Sequence, residues 1–88
     1  MVRSRVIVSG RVQGVWYRES CRREAIGHNV SGWIRNNRDG TVEAVLEGSG
    51  HDVEQVVNWM RMGPPRAVVT GVEVRDETPQ GEHGFVVR

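Results

Sequence analysis

Val30-Ser31-Gly32-Trp33-Ile34-Arg35-Asn36-Asn37-Arg38-Asp39-Gly40-Thr41-Val42-Glu43-Ala44-Val45-Leu46-Glu47 decides the fold, because it reads as two strands around a tight turn. Val30 to Arg35 is rich in residues that favour a pleated, half-buried backbone. Asn36-Asn37-Arg38-Asp39-Gly40 then breaks the run, and its Asp-Gly pair suits the left-handed geometry of a hairpin turn. From Thr41 to Glu47 the pattern alternates. Val42, Ala44 and Leu46 are expected to face inward, and Glu43 and Glu47 outward into solvent.

Each flank of the hairpin carries a helix and then a further strand. On the N-terminal side, Arg18 to His28 is helical in composition, with Tyr17, Cys21 and Ala25 four apart along one face. Asn29 ends that helix, since Asn tolerates the left-handed conformation found just past a helix end. Before it, Arg3 to Gly10 alternates as a strand, with Val6 and Val8 on one side and Arg5, Ile7 and Ser9 on the other. On the C-terminal side, Asp52-x-x-Gln55 resembles a cap opening a second helix, and Val53, Val56, Val57 and Met60 give it an apolar stripe. Gly63-Pro64-Pro65 stops it, because Pro can neither donate to the helix ladder nor continue it. Ala67 to Arg75 is a fourth strand with Val68, Val72 and Val74 on one face, and Phe85-Val86-Val87 is a short terminal strand. The order is that of an α+β, ferredoxin-like βαββαβ sandwich: a four-stranded antiparallel sheet, plus the short C-terminal strand, with two helices on one face. In such a sheet the first and second strands run the same way, so the loop after strand one and Asn36 after strand two meet at one edge.

With 88 residues the chain is expected to be one domain, residues 1–88, with a core of a single small layer. Cys21 is the lone cysteine, which excludes an internal disulfide and a Cys-rich zinc cluster and fits a reducing compartment. No signal-peptide or membrane-spanning run is visible, so a soluble, cytoplasmic protein is expected. All twelve basic residues are Arg. Without Lys there can be no Schiff-base lysine and no Walker-type phosphate lysine. The charge is also uneven. Residues 1–38 hold eight Arg against Glu19 and Glu24, and residues 39–88 hold four Arg against nine acids. A basic N-terminal half suits either nucleic acid or a small anion.

Gly10-Arg11-Val12-Gln13-Gly14-Val15-Trp16-Tyr17-Arg18 favours the small anion. It leaves a strand and enters a helix, and its glycines let successive N–H groups converge on one point. The helix start adds unpaired N–H groups and a positive dipole end. Arg18, at that junction, can give two parallel hydrogen bonds to phosphate oxygens. Taken alone, Arg18 reads as a solvated helix residue as readily as a ligand, and Asn36 reads as a turn residue.

The combination resembles the acylphosphatase family. Gly10 to Arg18 is similar to its signature G-R-V-Q-G-V-x-(aromatic)-R. Gly32-Trp33-Ile34-Arg35-Asn36 with Gly40-Thr41-Val42 is similar to its second motif, and Gly63-Pro64-Pro65-Arg66-Ala67-Val68 and Phe85-Val86-Val87-Arg88 to its closing segments. The resemblance runs in register over the whole chain. It implies hydrolysis of acyl phosphates to a carboxylate and inorganic phosphate. In that family the loop N–H groups hold the phosphoryl group, here those of Gln13, Gly14, Val15, Trp16, Tyr17 and Arg18. The Arg matching Arg18 binds phosphoryl oxygens, and the Asn matching Asn36 orients the attacking water. No metal, other cofactor or covalent intermediate is implied. Relatives usually have Thr where Cys21 stands and Leu where His28 stands.

The inventory is chemically sufficient. Phosphoryl transfer asks for positioning and charge stabilisation, and a carboxylate, whose acid has a pKa of roughly 4, leaves without a proton donor. Rival functions fit less well. An RNA-binding module of the same fold needs aromatics on its central strands, and Val6-Ile7-Val8 and Val42 to Glu47 offer none. A thiol phosphatase loop would need Arg at position 27, which is Gly27. A phosphate sensor that binds without turnover has no need of Asn36. His28, His51 and His83 lack metal-ligand spacing, and Trp33 and Trp59 read as packing residues. The expected partners are an acyl phosphate, and inorganic phosphate as product and inhibitor. Neither nucleic acid nor membrane is expected, and the protein should act as a monomer.

Overall fold

A computed structural model describes all residues, 1–88. Its elements are β1 (Val2–Arg11), α1 (Tyr17–Gly27), β2 (Ser31–Asn36), β3 (Val42–Gly48), α2 (Gly50–Met60), β4 (Val68–Glu77) and β5 (Phe85–Val87). The sheet order is β4-β1-β3-β2-β5. β1 and β2 are both antiparallel to β3 and therefore run together, while β5 lies parallel to β2 and makes the sheet mixed. The α+β, ferredoxin-like architecture stands.

The core forms where the two helix stripes meet one face of the sheet. Tyr17, Cys21 and Ala25 of α1 and Val53, Val56, Val57 and Met60 of α2 are buried against Val6, Val8, Ile34, Val42, Ala44 and Leu46. The Tyr17 hydroxyl donates to the Met60 carbonyl at 2.6 Å, and its ring tilts against Trp59, which ties the two helices together. Asn29 has φ 58°, the left-handed conformation expected after α1. No helix is long and apolar enough to cross a membrane.

Cys21 lies fully inside this core. Burial, with Glu24 adding to it, pushes the thiol well above its ordinary range and leaves almost no thiolate. Cys21→Thr should keep activity, because the new hydroxyl can bond back to the preceding helical turn. Stability should fall by about 1 kcal/mol, read from the urea midpoint; loss of turnover in the folded variant would contradict a structural role.

Three expectations need correction. Glu43 and Glu47 do lie on the face away from the helices, but they are 7% and 2% exposed rather than solvated. Arg3, Arg5 and Arg35 cover them: Arg3 reaches Glu47 at 2.6 Å, Arg35 reaches Glu43 at 3.1 Å, and Arg5 pairs with Glu43 and Glu77. Trp33 lies under three guanidiniums, those of Arg5, Arg35 and Arg88, at 4.4 to 5.5 Å from its ring. Alternation fixes which face a residue takes, and long Arg side chains decide whether that face is wet.

The second correction is that α2 is capped by Ser49, whose Oγ accepts the Asp52 N–H at 3.1 Å, so the helix starts earlier than Asp52-x-x-Gln55 implied. The third concerns β4. Its pairing with β1 shifts between Ser9 and Gly10, so that Gly10 faces Val69 and the parity of the strand changes there. Val69 and Val72 therefore pack on the core, while Val68 is exposed.

The ionic face makes stability depend on pH. Burial alone would raise the Glu47 carboxyl, but N–H groups of Gln80, Glu82 and Gly81 and the Arg3 guanidinium bring it down from 4.5 to about 2. Glu43 is also lowered: burial opposes the change, and Arg35, Arg5 and Asn37 outweigh it. Each carboxyl is a stronger acid folded than unfolded, so its contribution is complete above the unfolded value of 4.5 and is lost as pH falls below it, for Glu47 toward about 2. The urea midpoint should drop across that window, and drop less in Glu47→Gln. A midpoint that does not change with pH there would contradict the network's role.

Candidate active site

Both parallel strands, β1 and β2, deliver their C-terminal ends to one edge of the sheet, and a pocket of about 390 Å³ opens there. Val12, Gly14, Trp16, Tyr17, Arg18, Glu19, Asn36 and Val87 line it. Residues about twenty apart in sequence thus share one site, as the topology requires.

The loop from β1 to α1 is shaped for an anion. Gly14 sits at φ 74°, which a side chain would strain, and Trp16, at φ 66°, holds the left-handed conformation immediately before α1. Trp16 is 75% exposed at the pocket mouth. No side chain caps α1, and the N–H groups from Gln13 to Glu19 donate to no other main-chain group. The first-turn donors and the positive end of the helix dipole are thus both presented to the pocket.

Arg18, in the first turn of α1, is held from one side: its Nη1 donates to the main-chain oxygen of Arg88 at 3.0 Å. That contact fixes the guanidinium against the C-terminal segment and leaves other donors free. Asn36 closes β2. Its Oδ1 is buried and has no hydrogen-bond partner in the protein. A buried acceptor left unpaired costs about 1–3 kcal/mol, so this carboxamide is set up for a donor from outside the chain.

Not every residue in the expected cradle lines the pocket. Val15 is buried in the core instead, whereas Tyr17 lines the pocket although its hydroxyl is bonded to α2. The Gln13 side chain turns to the β2–β3 turn, where Nε2 donates to the carbonyls of Asn37 at 2.8 Å and Thr41 at 3.0 Å. Both amide hydrogens of Gln13 are therefore spent holding the loop to the turn that carries Asn36. Only the main chain of Gln13 was expected to serve the site. Two-sided bonding of this kind leaves no signal in residue spacing.

Glu19 is a lining residue that the reading did not single out. Arg22 chelates its carboxylate through two contacts at 2.9 Å and Arg23 adds one at 3.2 Å, which hold the carboxyl down at about 2. The i,i+3 and i,i+4 spacing was the available signal. Pairing offsets a negative charge that would otherwise oppose an anion in the pocket. No three His, Cys, Asp or Glu side chains lie together in an arrangement that could hold a metal ion.

Comparison with known proteins bears on this site. The family model described as Acylphosphatase matches residues 4–87. An acylphosphatase of Rubrobacter xylanophilus is 54% identical over 98% of this chain and 79% of its own length. One of Haloarcula marismortui is 54% identical over 98% of this chain and 94% of its own. The crystal structure of acylphosphatase from Bacillus subtilis superposes with a TM-score of 0.97 at 35% identity, covering 100% of this chain and 99% of that one.

Proposed function

Because the chain belongs to the acylphosphatase family of acyl phosphate hydrolases, we propose that it works through a phosphate cradle, Arg18 and a water on Asn36. The N–H groups of Gln13, Gly14, Val15, Trp16, Tyr17 and Arg18 bind the phosphoryl oxygens. Arg18 adds a permanent positive charge and parallel hydrogen bonds. The Asn36 Oδ1 accepts a hydrogen bond from one water, and this leaves a lone pair of that water directed at phosphorus.

The reaction then needs little more. As the bond from phosphorus to the carboxyl oxygen lengthens, negative charge passes to a carboxylate whose conjugate acid has a pKa of roughly 4, so no protonation is required. The phosphoryl group becomes more electrophilic as it loses the leaving oxygen, and the positioned water attacks in line. The attacking water loses its proton to solvent or to a phosphoryl oxygen, and products are a carboxylate and inorganic phosphate. An uncharged carboxamide suits the water site, since an Asp there would repel the phosphoryl group. With Arg18 and oriented N–H groups supplying the charge, no metal and no covalent intermediate is needed.

The observation that carries the reading is that Asn36, whose Oδ1 is buried and unpartnered, lines the same pocket as Arg18. The substrate is a free small-molecule acyl phosphate, hydrolysed by a cytoplasmic monomer of one domain, with inorganic phosphate as product and competitive inhibitor. Benzoyl phosphate should be turned over far faster than a stable phosphomonoester, and exhaustive chelation should leave that rate unchanged. A metal requirement, or equal rates on the two substrates, would contradict the mechanism.

A further inference from the structure

We propose that Glu47 is a positioning residue for Arg18, acting through the C-terminal segment that it anchors to the sheet. This rests on the reading of Arg18 as the phosphate-binding arginine. The path runs through hydrogen bonds and the short stretch of chain between them. Glu47, at the end of β3, has a side chain 1% exposed. Its carboxylate accepts three consecutive N–H groups, from Gln80 at 2.8 Å and from Gly81 and Glu82 at 3.0 Å each. Three convergent N–H groups around one carboxylate form an anion nest, and Gly81, at φ 80°, supplies the backbone conformation that lets them converge. Arg3 braces the same carboxylate at 2.6 Å and reaches Glu82 at 3.0 Å.

Beyond the nest the segment runs onto β2. The Gly32 N–H donates to the Gly84 carbonyl, Phe85 to Val87 pair parallel with Gly32 to Ile34, and the Arg88 N–H donates to the Ile34 carbonyl at 2.8 Å. The segment ends on the main-chain oxygen that receives Arg18. β5 is only three residues long and has a partner on one side alone, so its own ladder is a weak anchor. The nest supplies the missing fixed point at its N-terminal end. Loosening it lets the Arg88 oxygen move, and with it the guanidinium that must meet a phosphoryl group to within a fraction of an ångström.

The test compares Glu47→Ala and Gly81→Val with the unmodified protein, by kcat and KM for benzoyl phosphate and by the inhibition constant of inorganic phosphate. Gly81 is exposed with open space around it, so Gly81→Val strains the nest without entering the core and decides the matter if Glu47→Ala does not fold. Both variants should raise KM and the phosphate inhibition constant about tenfold, the loss of one charged hydrogen bond, with a smaller change in kcat. Folded variants that lose only stability, or lose kcat with phosphate affinity intact, would overturn the proposal. Arg18→Gln in the same assays separates the two levels. If Arg18→Gln keeps phosphate affinity, the reading of Arg18 fails. If it abolishes affinity while the nest variants keep it, only the role of Glu47 fails.

Discussion

Arg18→Gln should abolish phosphate binding and turnover together, lowering kcat/KM by about 10³-fold or more, the scale of losing an arginine that stabilises transferring phosphoryl charge. Glutamine keeps two N–H donors on one nitrogen but loses the charge and the parallel pair of hydrogen bonds. The fold should survive, because Arg18 is partly exposed and its side chain's one hydrogen bond within the protein is to the Arg88 main-chain oxygen. Steady-state kinetics with benzoyl phosphate and a phosphate titration are the measurements. A folded variant that still binds phosphate normally would remove Arg18 from the site.

Asn36→Ala should separate what Arg18→Gln joins. Its amide oxygen is a buried acceptor without a partner on a residue that lines the pocket, and the cradle of N–H groups and Arg18 does not depend on it. Turnover should fall by roughly 100-fold or more, the cost of an attacking group that is no longer aligned. Phosphate affinity should stay close to that of the unmodified protein. Stability should hold or rise slightly, since an unsatisfied buried acceptor is removed. Asn36→Asp should be no rescue, because its charge repels the phosphoryl group. Near-normal turnover in folded Asn36→Ala would show that the water is held elsewhere.

Helix stripes, turn residues and the shared sheet edge were all legible in the sequence, because each is a local pattern with a mechanical consequence. Val53, Val56, Val57 and Met60 had to cover a sheet, and strands one and two had to run together. Arg18 and Asn36 became legible as a pair only through the family motifs, since each alone has an ordinary structural reading. What escaped was set by contacts distant in sequence. Glu43 and Glu47 read as solvated until Arg3, Arg5 and residues 80–82 were seen to cover them. The parity change in β4 comes from its pairing with β1, which no period-two pattern within β4 discloses. The Ser49 cap was readable as Ser49-x-x-Asp52, but Asp52-x-x-Gln55 drew the boundary too late.

The central claim is that water attacks phosphorus directly, and stereochemistry tests it most directly. An acyl phosphorothioate made chiral at phosphorus with oxygen isotopes can be hydrolysed by the enzyme in isotopically labelled water and the product thiophosphate analysed for configuration. In-line attack by the water on Asn36 predicts inversion. Retention, which follows either from a phosphorylated enzyme intermediate or from attack at the acyl carbon, would contradict the account.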